Sequence, residues 1–213
     1  ANTGAASGVS ATGTATGASS NTVYGYNNIS VTGATSATGI EATGNDKTNT
    51  ATNTVNMNGA ILATSTDTGT AAGVSAATYA DNTVKTAKNI TASSNFGIAY
   101  GVDASDHSSN TVVMTGNLSA SSTADGDAYA VRSNDYSTNT ITGTKDIEVT
   151  TAQGNAYGID AVQDSTNNVN KDVTTPMGSL TVNSNTGKAY GVNADATGGT
   201  ATTANYVGGL AKV

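Results

Sequence analysis

One hexapeptide recurs along this chain, and that recurrence limits the available folds more than any single residue does. The clear copies are AYGVDA at Ala99, AYAVRS at Ala128, AYGIDA at Ala156 and AYGVNA at Ala189, and the weaker ones are ASGVSA at Ala6, ATGIEA at Ala37 and AAGVSA at Ala71. Their third residues are Gly8, Gly39, Gly73, Gly101, Ala130, Gly158 and Gly191, at steps of 31, 34, 28, 29, 28 and 33. After each comes Asn-x-Val/Ile, led by Asn21, Asn53, Asn82, Asn110, Asn139, Asn167 and Asn205. A third segment follows, beginning at Ile29, Ile61, Ile90, Leu118, Ile147 and Leu180. In a seventh copy its place falls to Val213.

Each repeat thus carries three short apolar segments alternating with period two, separated by Gly-rich polar stretches. Helical repeats of this length need a 3.6-residue period, and none is present. The pattern predicts an all-β parallel β-solenoid of about seven coils of 28–34 residues, three short strands per coil, as one unit over residues 1–213. At about 4.8 Å per coil such a stack spans roughly 30 Å. The insertions map to turns, near Thr12–Ser19, Asn45–Asn49, Lys171–Gly178 and Thr197–Thr200. The ends read as uncapped, so the sequence suggests a piece of a longer solenoid or a subunit that stacks head to tail.

Composition agrees. Charged residues are 11%, against roughly 25% in ordinary soluble domains, and much of the 36% hydrophobic share is alanine. A thick Leu/Phe core is therefore out of reach, and order must come from stacking small residues. Cysteine is absent, which excludes disulfides and thiol chemistry. A net charge of −7 with no basic stripe argues against a nucleic-acid partner. No run approaches the roughly 18–20 apolar residues of a membrane span.

Strand alternation assigns faces. In the hexapeptide, Tyr100, Val102 and Ala104 share one face, read as inner because Val or Ile recurs there in all seven copies. Gly8, Gly39, Gly73, Gly101, Ala130, Gly158 and Gly191 then form a flat outer packing strip. Substituting Gly73, Gly101 and Gly158 with bulky residues is expected to stop rods bundling while sparing the fold.

Several residues invite chemistry. The seven asparagines suggest either a carbohydrate-binding row or an internal amide ladder, and their inward parity favours the ladder. Tyr100, Tyr129, Tyr157 and Tyr190 suggest sugar stacking or, by the same parity, an inner aromatic stack. The outward column Thr22, Thr54, Thr83, Thr111 and Thr140 suggests ice binding, but its neighbours Tyr24, Asn56, Lys85, Val113 and Thr142 form no second regular column. Asp125 and Asp127 could offer oxygen ligands to calcium but read better as a solvated turn. Asp103, Asp106 and His107 lie close in sequence, and Arg132 and Asp160 take outer positions; that is sparse for acid–base catalysis. Asn28, Asn89 and Asn117 begin glycosylation sequons at one repeat position, which repeat inheritance explains. No catalytic, cofactor-binding or metal site is assigned.

The AYGV–NTV–NI repeats, rich in Thr, Asn, Gly and Ala, acidic and cysteine-free, resemble bacterial autotransporter passengers and related large repetitive surface adhesins. The resemblance covers essentially the whole chain. It implies a right-handed parallel β-helix outside the cell, serving adhesion, aggregation or biofilm formation. The expected function is a non-enzymatic structural or adhesive element, with further copies of itself and host or cell-surface glycans as partners. A β-helix polysaccharide lyase or hydrolase and a phage tail-fibre segment are the alternatives.

Overall fold

The computed structural model describes residues 4–25, 27–85, 88–170, 177–197 and 202–208. It is an all-β parallel solenoid with three sheets running along its axis. The first sheet stacks β1 (Ala5–Thr12), β4 (Ser36–Thr43), β7 (Thr70–Ala77), β10 (Ala99–Ser105), β13 (Ala128–Asn134), β16 (Ala156–Val162) and β19 (Ala189–Asp195) in that order. The second stacks β2 (Ser19–Gly25), β5 (Ala51–Met57), β8 (Ala80–Lys85), β11 (Ser109–Val113), β14 (Thr138–Thr142), β17 (Thr166–Val169) and β20 (Ala204–Val207). The third stacks β3 (Ile29–Gly33), β6 (Ile61–Ser65), β9 (Ile90–Ser94), β12 (Leu118–Ser122), β15 (Ile147–Thr151) and β18 (Leu180–Ser184). Six coils therefore supply all three sheets, and a seventh supplies two among the described residues. Its expected third segment at Val213 lies outside them, as do most of the Lys171–Gly178 insertion and residues 198–200 of the last insertion.

Every neighbouring pair is parallel and in register with the sequence repeat, so like residues stack on like. Val55, Val84, Val112, Ile141 and Val169 form one buried column, and Ile61, Ile90, Leu118, Ile147 and Leu180 another. These columns meet the first-sheet column Ile40, Val74, Val102, Val131 and Ile159 in one continuous core.

The first strand of each coil is bent, and the bend corrects the face assignment made from alternation. Ala99, Gly101, Val102 and Ala104 are all buried. A Cβ built on Gly101 would lie 2.5 Å from the Ala130 carbonyl oxygen and 2.8 Å from Leu118 Cδ1. The glycine column therefore faces the third sheet. At Gly39, Gly73 and Gly158 a Cβ would likewise meet Ile61, Ile90 and Leu180, and Ala130 is fully buried. Two successive residues, Gly101 and Val102, turn inward, and the β10–β13 pairing skips Gly101. The leading half packs on the third sheet, as Ala37 does on Val31 and Ala63. The trailing half packs on the second, as Ala76 does on Ala51 and Ala80. The flip at the bend sends Tyr100 outward. The expected flat outer strip is instead a column that lets the chain turn against the interior. A side chain added there would strike backbone, so the substitutions expected to spare the fold would damage it.

Tight turns join the first and second sheets in four coils, where Thr78–Tyr79, Asp106–His107, Asp135–Tyr136 and Gln163–Asp164 have φ of 49–60° without glycine. Left-handed conformations cost a non-glycine residue about 1–2 kcal/mol. Stacking offsets that cost: Tyr79 N–H donates to Asp106 O (2.9 Å), His107 N–H to Asp135 O (2.9 Å) and Tyr136 N–H to Gln163 O (3.1 Å).

Candidate functional site

Three longitudinal columns and one sheet face hold most of the residues with chemical potential. The first is internal. Asn53 Nδ2 donates to Asn82 Oδ1 (3.0 Å), Asn82 to Asn110 (2.9 Å), Asn110 to Asn139 (2.9 Å) and Asn139 to Asn167 (2.9 Å). Asn21 (3.2 Å) and Asn205 (2.8 Å) extend the series at its two ends. The same nitrogens also donate to first-strand carbonyls, among them Ser75, Asp103 and Asp160, each at 2.6 Å. From Asn53 to Asn167 the side chains are at most 1% exposed. Each amide thus uses both N–H groups and its oxygen inside the rod, and none faces a ligand.

The second column is outward. Tyr100, Tyr129, Tyr157 and Tyr190 stack face to face with centroids 5.3, 4.6 and 4.9 Å apart. Alternation predicts this stack inside; the bend at Gly101–Val102 places it half-buried on the outer surface. Its inner faces are taken up by its own members, so along the stack sugars would meet ring edges, with faces open only at Tyr100 and Tyr190 at its two ends.

Beside it lies a column of charge. Asp103, Arg132, Asp160 and Asn193 are register neighbours. The Arg132 guanidinium sits 5.6 Å from the Tyr100 centroid and 5.4 Å from that of Tyr129, within cation–π range. Arg132 Nη1 is 3.7 Å from Asp103 Oδ1 and donates to Tyr100 Oη at 3.4 Å. Asn193 Nδ2 donates to Asp160 Oδ1 at 2.7 Å. Asp103 and Asp160 are only 8% and 3% exposed. Burial pushes the Asp103 carboxyl up to about 6, against the opposing pull of Arg132. Burial also raises Asp160, with Asn193 and Arg132 opposing it. The Tyr100 phenol is pushed up to about 12, chiefly by burial.

The fourth feature is the outer face of the second sheet. Thr22, Thr54, Thr83 and Thr111 are exposed, and Thr140 is half-exposed. Two residues upstream stands a second column, Ser20, Thr52, Asp81, Ser109, Thr138 and Thr166. The downstream neighbours of the threonines do not reveal it, whereas the residues two positions back along each strand do. The face is a two-column hydroxyl array, broken in one column at Asp81, whose carboxylate accepts from the Ser109 hydroxyl, and in the other at Asn168.

The remaining candidates are distributed among turns. His107 is sandwiched between Tyr79 (4.7 Å) and Tyr136 (5.0 Å) and pairs with Asp106 at 3.0 Å. Asp103, three residues away, belongs to the charged column, so these three do not form one acid–base group. Asp127 Oδ1 accepts from Asn155 N–H (2.6 Å), tying one turn to the next. Among the described residues no three of His, Asp or Glu converge as metal ligands. Asn28 and Asn89 accept from Ala60 and Asn117 N–H (2.8 and 3.0 Å), which makes these sequon positions inter-coil caps. Among the described residues, one hollow of about 330 Å³ is lined by Ser121, Thr123, Thr150 and Asn185, and another of about 220 Å³, between the second and third sheets, by Val23, Ile29, Val55 and Met57.

No protein-family model, curated protein or solved structure matches the chain.

Proposed function

We propose that this chain is a non-enzymatic structural and adhesive segment of an extracellular rod or filament on a bacterial cell surface. The observation carrying this reading is the unbroken axial register. Side-chain and backbone ladders run through consecutive coils, so stability accumulates along one axis and the product is length rather than a pocket. The edge strands β1 and β19 are each paired on one side among the described residues. A further coil, from the parent chain or another copy, would continue the ladders.

With the glycine column buried, the flat hydroxyl face of the second sheet is the better adhesive surface. It presents repeated donors and acceptors at coil spacing, suited to another rod or to a surface glycan. The test is a strain displaying the protein, scored for cell–cell aggregation and attachment. Thr54→Lys, Thr83→Lys and Thr111→Lys together should reduce both while leaving the circular dichroism spectrum unchanged. Unaltered aggregation and attachment after deletion of the whole chain would refute the reading.

A further inference from the structure

We propose that the outward column Asp103–Arg132–Asp160 is a proton-linked brace, which makes the central coils of the rod more stable in mildly acidic surroundings than at neutral pH. Two carboxylates and one guanidinium are stacked in register on β10, β13 and β16. Both carboxylate residues are more than nine-tenths buried. One negative charge is therefore in excess at a site of restricted solvent access, where the Asp103 side chain is 12% exposed.

The geometry shows which carboxylate bears the excess. Asp160 receives a 2.7 Å hydrogen bond from Asn193. Asp103 Oδ1 has no hydrogen-bond partner, and its nearest cation, Arg132 Nη1, stands at 3.7 Å. Arg132 Nε is likewise buried without a partner. The guanidinium lies instead against the Tyr100 and Tyr129 rings. The other groups nearby do not relieve it: the Tyr100, Tyr129 and Tyr157 phenols are raised and stay neutral, Asp127 acts on those tyrosines, and Asp195 adds negative charge beside Asp160. A proton on Asp103 removes the excess.

The sign follows. The folded-state value of Asp103, about 6, lies above the ordinary carboxylate value of 3.8. The folded rod thus binds the proton more tightly than the unfolded chain. The resulting stabilisation is complete below about pH 4 and is lost as pH rises through about 6. Asp103 alone accounts for about a 100-fold change in the folding equilibrium constant across that window.

The test is urea unfolding of the full chain at pH 7.5 and 4.5, for wild type, Asp103→Asn and Arg132→Gln. Wild type should be more stable at pH 4.5. Asp103→Asn should be more stable than wild type at pH 7.5 and lose most of the pH dependence. Arg132→Gln should be hurt more at pH 7.5 than at pH 4.5. Carbon-13 titration of the Asp103 carboxyl in wild type keeps the proposal decidable if a variant does not fold, with an inflection expected near 6. An inflection at or below 4, or an Asp103→Asn variant that is equally destabilised at both pH values, would overturn it.

Discussion

Replacing Asn110 with alanine removes one rung from the middle of the asparagine ladder, and the structure fixes what is left behind. Asn82 Nδ2 loses its acceptor at 2.9 Å, Asn139 Oδ1 loses its donor at 2.9 Å, and the Asp103 carbonyl loses its donor at 2.6 Å. Asn82, Asn139 and Asp103 are 1%, 0% and 8% exposed, so bulk water does not replace what is lost. A buried polar group left unsatisfied costs about 1–3 kcal/mol. Three such groups, with some relief from a water entering the vacated volume, give about 3–6 kcal/mol. Asn21→Ala is the milder comparison, because Asn21 is half-buried and its loss orphans one buried group, Asn53 Oδ1, and the exposed Ser10 carbonyl; it should cost about 1–2 kcal/mol. Asn110→Asp keeps the shape but presents oxygen to two acceptors, so it should be at least as damaging at neutral pH and milder in acid. Urea unfolding followed by far-ultraviolet circular dichroism measures the differences, and hydrogen exchange resolved along the chain shows whether the loss centres on the fourth coil. Equal, sub-kilocalorie losses at Asn110 and Asn21 would refute the ladder as a source of stability.

The bend and the stacked turns give further expectations. Gly101→Leu should destabilise by about 3 kcal/mol or more in the same titration, because its side chain would drive into Leu118 and the Ala130 carbonyl. Gly101→Ala should cost about 1–3 kcal/mol, less than leucine, because its Cβ alone meets the Ala130 carbonyl oxygen at 2.5 Å. Ser133 is fully buried with its hydroxyl unpartnered, in register with Ala104 and Ala161; Ser133→Ala should raise stability by about 1 kcal/mol. His107→Ala should lower it by about 1–2 kcal/mol and change the near-ultraviolet tyrosine signal, because it opens the Tyr79–His107–Tyr136 stack.

The three-strand coil, its parallel register and the asparagine ladder are all legible in the sequence, because each depends on a spacing that the sequence repeats. The facing of the hexapeptide is not. Period-two alternation is valid only along an uninterrupted strand, and Gly101 with Val102 breaks it by turning two successive side chains inward. A signal is nonetheless available in the tyrosine column. Its register positions run Ser7, Thr38, Ala72, Tyr100, Tyr129, Tyr157 and Tyr190. A close-packed interior of constant cross-section cannot absorb a change from serine to tyrosine; an outer surface can. The glycine column carries the complementary signal, with nothing larger than alanine in seven coils. The burial of Asp103 and Asp160 is beyond the reach of sequence, because it depends on how the tyrosine rings and Arg132 lie over the bend. The face of the second sheet is half legible: its threonine column stands out, and its upstream hydroxyl column emerges only from the strand register.

Electron cryomicroscopy of the native particle is the most direct test of the central claim that the chain builds length rather than a pocket. The account predicts rods or filaments outside the cell, with an axial spacing of about 4.8 Å and the tyrosine column on their outer surface. A discrete, compact particle that closes its coils around a substrate cleft would contradict it.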